Sequence, residues 1–166
     1  MSVYFTSDTH FHHTNIVQYC NRPFADVEAM NAGMVAQWNA RVQPSDTVYH
    51  LGDFAMGKAD LLDGTRALLN GRVILVLGNH DRTPSRMRQA GFDEVHKSLT
   101  VQMDGLTLFM RHIPPHPSEV IPYCDYFLCG HVHDAWVRQG KVINVGVDAG
   151  GWNGPRTLSE ILGQDL

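Results

Sequence analysis

The stretch Arg72-Val-Ile-Leu-Val-Leu-Gly-Asn-His-Asp81 decides how the chain is read: a short apolar run stops abruptly at residues of very different chemistry. Val73 to Leu77 is continuous and rich in β-branched residues, which reads as a strand buried on both faces of a sheet. Gly78 lets the backbone turn. Asn79 and His80 then arrive at the carboxyl end of the strand, where open α/β sheets place their ligands. Taken alone, Gly-Asn-His-Asp reads equally well as a turn with a helix-capping acid, so the other strand ends must decide.

The chain has 166 residues, 43% of them apolar, which suits a single domain over residues 1–166 with a proper core. A formal net charge of -4 argues against a general basic surface for nucleic acid, so any phosphate binding must be local. Cys20, Cys124 and Cys129 are widely spaced in apolar surroundings and read as small core residues of a reducing compartment, not as a disulfide frame. No apolar stretch reaches membrane-spanning length, and Ser7-Asp8-Thr9-His10 follows too soon for a signal peptide. The expectation is a cytoplasmic protein with no membrane partner. The unusual count is histidine, ten in all. Imidazole titrates near neutral pH and is the commonest metal ligand, so position along the chain becomes the question.

Ser2 to Thr6 reads as a first strand, ending at Asp8 and His10, whose spacing of two puts both side chains on one side of an extended end. Asn15 to Cys20 forms a helical turn. Arg22 precedes a proline and is expected in an extended loop, where its guanidinium can reach a phosphate. Asp26 to Val42 carries Val27, Met30, Met34, Val35 and Trp38 at one-face helical spacing. Thr47 to Leu51 is the second strand and ends in Gly52-Asp53, with His50 packed inside it. Lys58 to Asn70 reads as a helix with Gly71 as its C-cap.

Thr83-Pro84 starts a short helix to Ala90, and Glu94 to Leu99 reads as a strand. Asp104-Gly105 between Thr100–Met103 and Leu106–Met110 signals a hairpin that runs into His112. Asp125 to Cys129 is a further buried strand, ending in Gly130-His131-Val132-His133. Ala135 to Arg138 and Lys141 to Val145 pair around Gln139-Gly140. Thr157 and Glu160 suggest a capping box on a terminal helix.

Five strand ends thus carry metal-competent groups: Asp8 with His10, Asp53, Asn79 with His80, His112, and His131 with His133. Imidazole, carboxylate and one amide oxygen, without cysteine, suit first-row divalent ions. They exceed what one ion needs. Two ions sharing a carboxylate would use them all, the usual arrangement for phosphate ester hydrolysis.

Asp8-Thr-His10, Gly52-Asp53, Gly78-Asn-His-Asp81, His112 and Gly130-His-Val-His133, in this order, resemble the calcineurin-like metallophosphoesterases. Ser7-Asp-Thr-His-Phe-His-His13, Tyr19-Cys-Asn-Arg-Pro-Phe24 and Asn144-Val-Gly-Val-Asp148 resemble its small bacterial and phage branch. The resemblance implies an α/β fold, a four-layer α/β/β/α sandwich of two packed mixed sheets flanked by helices. It implies that Asp8, His10 and His133 hold one ion, that Asp53 bridges, and that Asn79, His112 and His131 hold the other. The cofactors would be two divalent ions, manganese first, with iron, zinc, nickel or cobalt compatible.

On that reading a hydroxide activated by both ions attacks phosphorus, and His80, which binds no metal, is the general acid, while Asn79, His80 and Arg22 contact the substrate. Asp81 either orients His80 or caps locally. The length leaves no room for a cap domain, so specificity falls to loops 11–24, 54–58, 113–120 and 148–156. The expected activity is that of a phosphodiesterase on a nucleotide or a nucleic-acid-derived diester. Phosphomonoester hydrolysis is the nearest rival, and a metal-free interaction scaffold the most distant one.

Overall fold

A computed structural model describes residues 1–163. The chain runs β1 (Val3–Thr6), α1 (Ile16–Tyr19), α2 (Val27–Arg41), β2 (Thr47–His50), α3 (Ala59–Leu68), β3 (Arg72–Val76) and α4 (Pro84–Gln89). It continues through β4 (Glu94–His96), β5 (Leu99–Met103), β6 (Leu106–Met110), β7 (Tyr126–Cys129), β8 (Arg138–Gln139), β9 (Val142–Asn144), β10 (Arg156–Thr157) and α5 (Leu158–Leu162).

These strands form two five-stranded mixed sheets, in the orders β10-β1-β2-β3-β4 and β5-β6-β7-β9-β8. In the first sheet β1 to β4 are parallel and β10 is antiparallel at the edge. In the second, β6, β7 and β9 are parallel, flanked by antiparallel β5 and β8. The two-residue period of the strands divides the core. Val48, Val73 and Leu75 pack under the helices against Met30, Met34, Trp38, Leu62 and Met87. Phe5, Leu51 and Val76 face the other way, against Leu108, Met110, Leu128 and Ile143 of the second sheet, with Leu158 and Ile161 of α5 in the same layer. Full burial of one such side chain contributes about 1.5–3 kcal/mol. The two packed sheets with helices are the α/β architecture expected. The outermost layer over the second sheet is made by loop side chains: Ile121 and Trp136 cover Phe109, Phe127 and Cys129.

Several local signals have direct counterparts. Asp26 accepts from the Ala29 N–H at 2.8 Å and starts α2. Thr83 caps α4 with Pro84 in its first turn. Asp104 and Gly105 take φ of 51° and 79°, as a two-residue hairpin turn requires. The capping box of Thr157 and Glu160 is complete.

Three expectations differ. Glu94–Leu99 is not one strand: the chain breaks at Lys97-Ser98, leaving the first sheet after His96 and entering the second at Leu99. Both halves have strand composition, so only the crossing between sheets separates them. α3 ends through Leu69 in extended backbone (φ -94°, ψ 129°), and Gly71 does not cap it. A Cβ on Gly71 would lie 2.8 Å from Val42 Cγ1, so this glycine serves the close passage into β3. The last hairpin is shorter and turns at Gly140-Lys141, because Gln139 itself pairs with Val142.

Candidate metal centre at the seam of the two sheets

Parallel β1, β2 and β3 in one sheet, and β6, β7 and β9 in the other, carry their carboxyl ends to a common rim where the two sheets touch. There Val147 N donates to Ser7 O at 3.1 Å, and His131 N donates to the Asp8 carboxylate at 3.0 and 3.1 Å. The approach is too close for side chains at two positions. A Cβ on Gly78 would stand 2.1 Å from Asp53 Oδ1, and one on Gly130 would stand 2.2 Å from Asp8 Oδ2. The backbone is also strained. Asp8, His10, Asp53, His131 and His133 have φ of 58°, 48°, 55°, 72° and 48°. Left-handed backbone at such residues costs on the order of 1–3 kcal/mol each and persists where the surroundings hold it, typically at functional sites.

The side chains converge. His10 Nε2 lies 4.0 Å from Asp8 Oδ1 and 3.5 Å from Asp53 Oδ2, and His112 Nε2 lies 3.3 Å from that same Asp53 oxygen. Donor atoms of Asp8, His10 and His133 fall within 4.8 Å of one another, as do those of Asp8, Asp53 and His112. Asn79 Oδ1 is 3.1 Å from His112 Nε2, and the His131 ring is 5.2 Å from the His112 ring. Asp8, His10, Asp53 and His112 are buried, whereas Asn79, His80 and His131 stand exposed at the mouth. The His80 ring sits edge-on to His10 at 5.5 Å, with its backbone N–H on Asp53 Oδ1 at 2.9 Å.

Burial pulls the His10 imidazole down to about 3, so it is a neutral lone-pair donor at ordinary pH. Burial also pushes the Asp8 carboxyl above its usual range. Asp53 behaves differently: burial opposes ionisation, but the hydrogen bond and charge of His112 and the His80 N–H hold it at about 2. His112 is raised in turn. Its burial works against the charged form and is outweighed by the Asp53 hydrogen bond and the Asp8 charge.

A layer of polar residues behind the site fixes these groups, and here two expectations change. Arg22 is not a surface arm. It is 4% exposed, donates through Nη1 to Thr9 O and through Nη2 to Asp8 O (2.8 Å each), and pairs with Asp148 through Nε at 3.0 Å and Nη2 at 2.9 Å. With its donors committed to the chain, it braces the Asp8–His10 loop and is not a phosphate clamp. Asp81 does not orient His80. Its carboxylate accepts the backbone N–H groups of Asp53, Phe54 and Gly78 at 2.8–2.9 Å, tying the ends of β2 and β3 together. His50 is fully buried between Thr9 Oγ1 at 3.0 Å and the Gly52 N–H at 3.2 Å, as a packed histidine should be.

Two supporting residues carried no role in the sequence. Asp148 Oδ2 takes His133 Nδ1 at 2.7 Å. Asn144, 0% exposed, donates to His133 O at 2.7 Å and Trp136 O at 2.9 Å while accepting from Gly146 N. The available signal was an acid shortly after the end of β9, the same strand-end pattern read for Asp8 and Asp53.

The donor set fits divalent cations. Buried carboxylates face imidazoles across a few ångströms, and both His10 ring nitrogens are buried without a hydrogen-bond partner, a costly state that a cation shared with the carboxylates would relieve at one of them. Oxygen and imidazole donors suit first-row ions. A third cluster, Cys20 with His133 and Asp148, fits less well. Burial and the Asp148 charge push the Cys20 thiol up to about 12, and His133 Nδ1 is already bonded to Asp148.

Comparisons with known proteins give the family. An uncharacterized protein of Methanocaldococcus jannaschii is 34% identical over 148 residues, covering 86% of this chain and 75% of that protein. The gene 66 protein of Mycobacterium phage D29 is 36% identical, covering 96% of this chain and 94% of its own length. A solved structure of a protein of unknown function from Aquifex aeolicus superimposes with a TM-score of 0.76 at 28% identity, covering 98% of both chains. The family model described as the calcineurin-like phosphoesterase superfamily domain matches residues 1–161, and the chain belongs to that superfamily of metal-binding phosphoester hydrolases.

Proposed function

We propose that the chain is a dinuclear phosphodiesterase acting on a nucleotide or related diester. The observation that carries this reading is Asp53 Oδ2, which stands 3.5 Å from His10 Nε2 and 3.3 Å from His112 Nε2 and so belongs to both halves of the donor set. Asp8, His10 and His133 would hold one divalent ion, Asn79, His112 and His131 a second, and Asp53 both. When bound, such ions supply Lewis acidity and positive charge against the phosphoryl oxygens.

The remaining work falls to residues of the chain. Asp53, ionised down to about 2, keeps its charge through the working pH range. His80 stands exposed beside His10, placed by its own N–H on Asp53, and would deliver a proton to the leaving oxygen. Asn79, His80 and His131 stand exposed at the mouth, which supports a diester reading over a closed monoester pocket. Cys20, Cys124 and Cys129 are free thiols, as suits the reducing cytoplasm. Among the described residues no helix is long and apolar enough to cross a membrane.

Turnover of paired monoester and diester model substrates with added manganese, alongside elemental analysis, tests the proposal. Two ions per chain with faster diester hydrolysis is the expected result. Faster monoester hydrolysis would make the protein a phosphatase, and less than one ion per chain would favour a non-enzymatic scaffold.

A further inference from the structure

Beside the Asn79–His112 side of the centre runs a groove of about 510 Å³, within the ~300–1,000 Å³ range of small-molecule sites. Asn79 and His112 belong to its lining. Leu77, Ile113 and Pro114 supply apolar wall, and Ile113 is 47% exposed. Three basic side chains of unequal availability, Lys97, Arg111 and His116, also line it. Arg111 is spent on Glu119 through both Nη atoms, at 2.5 and 3.0 Å, and His116 Nδ1 is engaged by Ser118 Oγ at 2.7 Å. Lys97 is exposed and has no ion pair among the described residues.

The position of Lys97 follows from the fold. β4 is parallel to β3 with His96 opposite Val76, and Leu77 N donates to His96 O at 2.8 Å. Lys97 therefore leaves the sheet at the same rim as Gly78 and Asn79, at the break where the chain crosses to the second sheet. An unpaired cation, an apolar wall and metal-type donors lining one groove match a ring flanked by two phosphates.

We propose that this groove seats the nucleoside arm of a phosphodiester that carries a second phosphate, and that Lys97 binds that second phosphate. The assignment rests on the phosphodiesterase reading above, with the scissile phosphate beside Asn79 and His112.

Equilibrium binding to the manganese-loaded protein tests it, with thymidine bisphosphate (both hydroxyls phosphorylated) compared against thymidine 5′-monophosphate. The bisphosphate should bind about tenfold tighter, the scale of one charge-assisted contact. Lys97→Ala should bring the ratio to about one at unchanged metal content, and Lys97→Arg should keep it. Lys141→Ala, which removes the same charge beside Cys124, should also keep it. No preference in the parent protein, or a preference that survives Lys97→Ala, overturns the assignment. Turnover of the para-nitrophenyl ester of thymidine 5′-monophosphate separates the two readings. Hydrolysis of that diester without the binding preference removes only the role of Lys97. Hydrolysis of para-nitrophenyl phosphate alone, with the diester untouched, removes the phosphodiesterase reading.

Discussion

Asp148 Oδ2 accepts the Nδ1 hydrogen of His133 at 2.7 Å and, through the same carboxylate, pairs with Arg22, both side chains being almost wholly buried. The hydrogen bond to Asp148 comes first in raising the His133 pKa, against the effect of burial, and the contact fixes the tautomer that leaves Nε2 free on the side of Asp8 and His10. Asp148→Asn keeps the shape and removes the charge. The expected result is a roughly 10–100-fold loss of affinity for the first divalent ion, the usual consequence of losing a carboxylate behind a metal-binding histidine. Competition against a fluorescent chelator measures it, and unaltered affinity would remove Asp148 from the site.

Asp81 holds the end of β2 to the end of β3, and its substitution should loosen both at once. Asp81→Ala leaves the N–H groups of Asp53, Phe54 and Gly78 without their acceptor. At about 1 kcal/mol for each lost bond, the expected destabilisation is ~3 kcal/mol. Urea unfolding reads this directly. A loss below ~1 kcal/mol would show that water replaces the carboxylate readily and that the residue is a local cap.

What the sequence discloses and what it hides follow from the range of the interactions. The metal-type donors were legible because each follows an apolar strand and a turn, a local pattern repeated at Asp8, Asp53, Asn79, His112 and His131. The capping and hairpin signals at Thr83, Asp104-Gly105 and Thr157 were legible for the same reason. Arg22 was misread because its partner, Asp148, lies 126 positions away and only the contact between the sheets brings the two together. The break at Lys97-Ser98 was hidden because strand composition is continuous across it, while the change of sheet is a property of the whole fold. Asp81 looked like a turn residue and is one, but the turn it braces includes the end of another strand.

His80 hydrogen-bonds to the donor set only through its backbone, so removing its side chain should separate chemistry from metal binding. Its N–H holds Asp53 Oδ1 at 2.9 Å, and His80→Ala retains that bond. The expected outcome is unchanged metal content by elemental analysis with turnover reduced by roughly 10²–10⁴, the scale of general acid catalysis. The loss should shrink for diesters with good leaving groups, which need no proton. Equal losses across a leaving-group series would assign His80 to substrate binding.

His50 gives the fold a pH dependence of definite sign. Burial holds its imidazole down at about 3 in the folded chain, against an ordinary value of 6.5. Below pH 6.5 the unfolded chain takes up a proton that the folded chain refuses. Its contribution to stability is therefore fully present above pH 6.5 and drains away as the pH falls toward 3. At pH 5 the deficit is about 2 kcal/mol, from 1.36 kcal/mol per pH unit. Thr9 Oγ1 and the Gly52 N–H occupy the two ring nitrogens, and the nearby Asp53 charge, which favours the protonated ring, is outweighed by burial. Urea unfolding of the metal-free protein at pH 7 and pH 5 should show the loss, and His50→Gln, whatever its own cost, should lose about 2 kcal/mol less over the same interval. Parallel pH profiles for the parent and His50→Gln would mean that the buried ring accepts its proton without unfolding the chain.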